Sequence, residues 1–97
     1  MTAWNGNGAM IEQQAMIVNQ NGLHPRAAAR IVRLTNTFEA HIELAKDGVE
    51  ENGKSIIGVM RLAAECGSSI TIRAIGPDAE RAVAALAALM GDGFGEE

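Results

Sequence analysis

The chain predicts an α+β fold with elements in the order βαββαβα. Short apolar or alternating runs interleave with stretches of helical period, glycine, asparagine and aspartate punctuate the joins, and no linker-like stretch divides the 97 residues. With 47% hydrophobic residues, the expected solution is one core under a single antiparallel sheet whose helices cover one face.

The elements follow in order. Ala15-Met16-Ile17-Val18, within Gln14 to Asn19, reads as a buried first strand, closed by the polar loop Asn19-Gln20-Asn21-Gly22. From Pro25 to about Thr37, Ala27, Ala28, Ile31, Val32 and Leu34 fall on one helical arc, and Arg26, Arg30 and Arg33 on another. His41, Glu43 and Ala45 alternate with Ile42 and Leu44 as a half-buried strand, and Lys46-Asp47-Gly48 turns it into an antiparallel partner over Val49 to Glu51. Ser55 caps a second helix running to about Glu65, which Gly67 ends, and Ile70 to Ile75 alternates as a fourth strand. Gly76-Pro77-Asp78 opens the last helix with Pro77 at its first position, and Ala82, Val83, Leu86, Leu89 and Met90 form its core stripe before Gly91. Residues 1–13 read as a flexible leader carrying the isolated Trp4, residues 14–91 as the domain, and residues 92–97 as a frayed acidic tail.

Composition narrows the function classes. A net charge of −4 with a pI near 5.1 leaves no basic footprint for nucleic acid. No run approaches membrane-spanning length, and the first ten residues lack the basic and apolar regions of a secretory signal, so a cytoplasmic location is expected. The one cysteine, Cys66, excludes an internal disulfide and reads as a core-lining thiol. His24, His41 and Cys66 show no metal-ligand spacing, and no cofactor is expected.

Chemistry concentrates in Asn21-Gly22-Leu23-His24-Pro25-Arg26-Ala27-Ala28-Ala29. A histidine at a helix start offers a nucleophilic ring nitrogen, the unpaired N–H groups there attract anions, and Arg26 can add charge-assisted hydrogen bonds to phosphate oxygens. A second loop, Asn52-Gly53-Lys54-Ser55-Ile56-Ile57-Gly58-Val59-Met60, runs into the serine that caps the next helix.

Together these two segments resemble the active-site and regulatory-serine segments of HPr, the histidine phosphocarrier of the bacterial phosphoenolpyruvate-dependent phosphotransferase system, over roughly residues 14 to 90. The resemblance implies an open-faced sandwich with strand order 1-4-2-3 and three helices on one face. It implies that His24 is phosphorylated on Nδ1 by Enzyme I and passes the group to an EIIA-type protein, with Arg26 pairing with the phosphoryl oxygens. It makes Ser55 a position that some members offer to a dedicated HPr kinase, with Lys54 as its electrostatic neighbour or a solvated residue. It further makes Ile56, Ile57 and Met60 part of an exposed partner surface.

One departure from the commoner family pattern stands out: proline precedes Arg26 instead of following it. Pro25 has no N–H, so a donor at the first helical position is absent and the N–H groups of Arg26 or Ala27 remain. The basic stripe Arg26, Arg30 and Arg33 on an acidic chain suits an acidic partner or a solvated face, and Arg30 and Lys54 are placed with the docking residues. Ala27-Ala28-Ala29 and Phe94 among acidic residues are similar to the nitrogen-branch carriers called NPr. The alternatives are a sugar-transport HPr, or a regulatory binding module that works without phosphorylation and keeps His24 as a cap.

Overall fold

Alternation becomes a sheet in the computed structural model, which describes residues 9–96. Strands β1 (Ile11–Met16), β2 (His41–Lys46), β3 (Val49–Asn52) and β4 (Ser69–Ile75) form one antiparallel sheet in the order β1-β4-β2-β3. Ile72 of β4 lies between Gln13 of β1 and Leu44 of β2, and Arg73 between Glu12 and Glu43. This register sends Ile42, Leu44, Ile70, Ile72 and Ala74 to the helix side, where all are buried. On the open side Arg73 meets one glutamate from each of the other strands: Glu12 at 3.6 Å, Glu43 at 3.2 Å and Glu50 at 3.3 Å.

Helices α1 (Pro25–Thr35), α2 (Ile56–Arg61) and α3 (Ala79–Gly91) close the core with Ala27, Ala28, Ile31, Val59, Ala82, Val83, Leu86 and Met90. None of the described helices is long and apolar enough to cross a membrane. α3 packs across β1 and β4, α1 packs against α2 and α3, and alanines alternate with larger aliphatic side chains to fill the space between.

Several expectations need correction. The leader expected over residues 1–13 lies outside the described residues as far as residue 8, while Ile11 to Gln13 already belong to β1. β1 is an edge strand whose Glu12, Gln14 and Met16 are exposed, so its apolar period is thin and the more apolar run after it drew the eye. Ile17 is buried, but Met16 and Val18 face outward. α2 stops at Arg61 and not near Glu65, because Ala63 adopts φ +51°, a left-handed turn that a non-glycine residue does not advertise. Pro77 precedes α3, whose N-cap is Asp78. Cys66 is exposed, with its thiol donating toward the Val18 carbonyl at 3.6 Å.

The frayed tail does not hold over Asp92 to Glu96. Gly93–Gly95 form a 3₁₀ turn, and Phe94 is the largest fully buried side chain, set among the aliphatic side chains of the core. Phe94 sits at φ +60° between two glycines that also have positive φ, so the chain doubles back sharply enough to drive the ring inward.

Asp78 does not cap its own helix through its side chain. Its Oδ2 accepts the Glu39 N–H at 2.9 Å and its Oδ1 the Ala40 N–H at 2.8 Å, tying the start of α3 to the entry of β2. The Glu39 N–H, seconded by that of Ala40, holds this carboxyl below its ordinary range.

Two outcomes test these contacts. Gly22 has φ +67° and a Cβ there would lie 2.6 Å from the Ala64 carbonyl oxygen, whereas Gly48, at φ +82°, has open space around it. Gly48→Ala should cost about 1–2 kcal/mol of backbone strain, and Gly22→Ala clearly more, in urea unfolding. For Asp78, a depressed folded pKa means stabilisation that is complete above the ordinary carboxylate range and is lost as pH falls through the folded value. Asp78→Asn should therefore be less stable than the parent at neutral pH, and the gap should narrow by about pH 3; urea midpoints at the two pH values check it.

Candidate functional site

His24 is the N-cap of α1, with extended backbone (φ −74°, ψ 172°) and its carbonyl accepting the Ala28 N–H at 2.9 Å. Pro25 follows at the first helical position, where its missing N–H removes a donor that no helical carbonyl would have met. The Arg26 N–H turns back to the ring and donates to His24 Nδ1 at 3.2 Å. The loop before it is held from below: Gly22 N–H donates to the Asn19 carbonyl at 3.1 Å and Leu23 N–H to the Ala64 carbonyl at 3.0 Å, just past the end of α2.

On its other side the ring meets Glu96, whose Oε2 contacts His24 Nε2. Because the Arg26 N–H points at Nδ1, that nitrogen carries the lone pair, and the ring proton sits on Nε2 facing the carboxylate. Glu96 Oε1 also accepts from Asn19 Nδ2 at 3.1 Å, and the same amide donates to the Gly22 carbonyl at 2.8 Å. The His24 contact above all, then the Asn19 amide and the nearby Arg30, pull the Glu96 carboxyl below its ordinary range. Gln20, Asn21, His24, Pro25, Arg26, Arg30, Gly95 and Glu96 line an open depression of about 740 Å³. A ring so placed can act as a nucleophile through Nδ1 toward a group delivered from outside, with the Arg26 N–H beside the new bond.

The residues predicted for the site divide into two groups. Arg26 is exposed beside the ring. Ser55 accepts the Gly58 N–H on its Oγ at 3.1 Å, and so caps α2. Ile56, Ile57 and Met60 are all exposed, Ile57 to 66%. By contrast, Arg30 Nη1 donates to the Phe94 carbonyl, and Lys54 Nζ donates to the Phe38 carbonyl at 2.7 Å, so both cations are engaged within the fold. The carbonyl at Phe94 offsets the like-charge cost of the arginine stripe, a task the sequence assigned to a partner or to solvent. Sequence reasoning missed Asn19 and Glu96. The bracketed Phe94 between Gly93 and Gly95 was the available signal, because a lone aromatic flanked by permissive residues is a candidate anchor.

A small open-faced α+β domain that presents one histidine at a helix start, in a shallow depression with an arginine, belongs to the class of proteins that offer a side chain to a partner instead of enclosing a substrate. Comparison with known proteins makes this specific. Residues 11–92 match the family model described as the PTS HPr component phosphorylation site. The phosphocarrier protein HPr of Cupriavidus necator is 40% identical over 87 residues, covering 90% of this chain and 98% of the relative. The HPr-like protein Crh of Bacillus subtilis is 39% identical over 79 residues, covering 81% and 93%. Among solved structures, HPr-C-His from Thermoanaerobacter tengcongensis superposes with a TM-score of 0.86 at 39% identity, covering 90% of this chain and 98% of that one. The chain belongs to the HPr family, the phosphocarriers of the phosphotransferase system. Phe94 and Glu96 lie beyond Asp92, where the family match stops.

The cap geometry gives a direct expectation for Ser55. Ser55→Ala should lower stability by about 0.5–2 kcal/mol, because the Gly58 N–H loses its acceptor, while Ser55→Asp should retain most of it. Thermal unfolding of the two variants measures the difference.

Proposed function

We propose that the chain is a cytoplasmic histidine phosphocarrier in which His24 Nδ1 accepts a phosphoryl group from phosphorylated Enzyme I and yields it to an EIIA-type protein, in the nitrogen-related regulatory branch. The observation that carries the reading is the Nδ1 lone pair at an open helix start, bounded by the Arg26 N–H and the exposed Arg26 side chain. In the forward step that lone pair attacks phosphorus, an N–P bond forms, and the bond to the donor breaks with its electron pair returning to the donor. The Arg26 N–H then finds a phosphoryl oxygen in place of the ring nitrogen, and the guanidinium adds a second, charge-assisted contact. The open depression suits a carrier, because a phosphoryl group enclosed on all sides would be held too tightly to pass on.

Ile56, Ile57 and Met60 are the docking surface in this reading. Their exposure is unusual for large aliphatic side chains, and they sit on the helix whose end supports the His24 loop. Methionine and isoleucine present a deformable apolar face that different partners can share. Arg30 and Lys54 leave the docking set, because their charged ends are committed to carbonyls of the fold. Ser55 is the regulatory position: a phosphoryl group on its Oγ places about −1.5 to −2 charges beside the docking helix and acts against association with Enzyme I. Assignment to the nitrogen branch is supported by the Ala27-Ala28-Ala29 run after the arginine and by Phe94 among acidic residues.

Intact mass after incubation with phosphoenolpyruvate and Enzyme I from each branch tests the reading. The expected result is one acid-labile phosphoryl group, absent from His24→Ala, gained faster with the nitrogen-branch enzyme. Faster gain with the sugar-branch enzyme reassigns the branch, and no gain with either overturns the relay in favour of a binding module.

A further inference from the structure

We infer that Glu96 is a positioning residue for phosphoryl transfer: its carboxylate holds the Nε2–H tautomer of His24, turns the Nδ1 lone pair toward the incoming phosphorus, and counters the positive charge the ring acquires as that bond forms. The inference rests on the reading of His24 as the phosphoryl acceptor.

Its first support is that the carboxylate is fixed at both oxygens. Oε2 meets His24 Nε2, and Oε1 takes the Asn19 amide, which is itself buried and bonded to the Gly22 carbonyl. A carboxylate held this way cannot rotate off the ring without breaking a second hydrogen bond. The segment that carries it is anchored as well. Phe94 is buried in the core, its carbonyl accepts from Arg30, and Glu96 N–H donates to the Gly93 carbonyl at 3.0 Å.

The electrostatic surroundings supply a reason for such a contact. The charged groups facing the ring are Arg26 and Arg30 from α1 and Glu96 from the 92–96 segment, while Gln20 and Asn21 of the preceding loop are neutral. Among the described residues lining the depression, Glu96 is the one acid. The exposed Arg26 favours the incoming phosphoryl oxygens, Arg30 adds positive charge although its end is held by the Phe94 carbonyl, both oppose a cationic ring, and Glu96 meets that opposition from the Nε2 side. Nucleophilic attack by neutral imidazole leaves a phosphoimidazolium whose proton stays on Nε2 against the carboxylate. On onward transfer the N–P bond breaks, its electron pair returns to Nδ1, and the ring is neutral again with no proton moved. Glu96 therefore acts through His24, without touching the phosphoryl group.

The test uses the full chain with Glu96→Gln and Glu96→Asp. Phosphorylation by Enzyme I and phosphoenolpyruvate should show kcat lowered about tenfold in Glu96→Gln, equivalent to one power of ten in the rate constant, with KM unchanged. Glu96→Asp, which keeps the charge, should recover part of the loss. Ring ¹⁵N shifts of unphosphorylated protein should report the Nε2–H tautomer in the parent and its lost dominance in Glu96→Gln. An unchanged kcat, a change confined to KM, or equal impairment of the two variants overturns the inference, the last because it would trace the effect to packing of the segment and not to its charge. If the parent gains no phosphoryl group on His24, the reading of the site fails and this inference with it. The tautomer spectra then still reveal whether Glu96 orients the ring, so the two failures are distinguishable.

Discussion

The insertion of β4 between β1 and β2 is the constraint on which the rest of the molecule depends. Ile72 must find Gln13 on one side and Leu44 on the other, so the sheet cannot be completed until the chain has passed residue 75. Long-range pairing of this kind costs loop-closure entropy before it is rewarded, and the reward is the burial of Ile42, Leu44, Ile70, Ile72 and Ala74 against the helices. Once β4 is in place, the turn after α2 lies beside the loop before α1, and the Leu23 and Gly22 contacts with residue Ala64 follow. The position of the histidine is thus set by sheet topology and by a helix end, with the sequence immediately around it free to serve chemistry.

That division explains how a short loop can be both open to a partner's approach and well placed. His24 supplies the start of α1 with a carbonyl for Ala28 and a ring nitrogen for the Arg26 N–H, so the group that caps the helix is also the one the proposed reading makes the nucleophile. A cap hydrogen bond of this kind is worth about 1 kcal/mol, small enough to be exchanged for a contact with a bound oxygen. Proline at the next position costs the helix nothing, since its N–H would have had no helical partner. The reversed order of proline and arginine relative to the commoner family pattern therefore leaves the turning-back of the Arg26 N–H intact.

Much of this was legible in the residues, and the failures have physical causes. α1, β2, the hairpin at Asp47-Gly48, the Ser55 cap and β4 each carry strong local signals, and the structure follows them closely. β1 was misread because an edge strand with one solvated side needs few apolar residues, and Ile11 and Ala15 alone mark its inner face. The early end of α2 depends on an alanine in a left-handed turn, a choice made by tertiary contacts and not by propensity. The strand order came from family resemblance, since alternation shows which residues form strands but not which strands pair. At the candidate site, the sequence singled out His24 and Arg26, which the structure sets together at the start of α1, whereas Glu96 gave no such signal, because its approach depends on Phe94 finding the core many residues away in sequence from the ring it meets.

The shared segment of Phe94 and Glu96 gives the domain a property that neither residue has alone. One end of this short stretch is a plug in the hydrophobic interior and the other is a counter-ion at the surface. Thermodynamic reciprocity then binds the two: whatever strengthens the carboxylate's hold on a cationic ring also seats the plug more firmly, and whatever unseats the plug weakens the counter-ion by the same free energy. One short turn of backbone thus ties a surface ring to the packing of the interior.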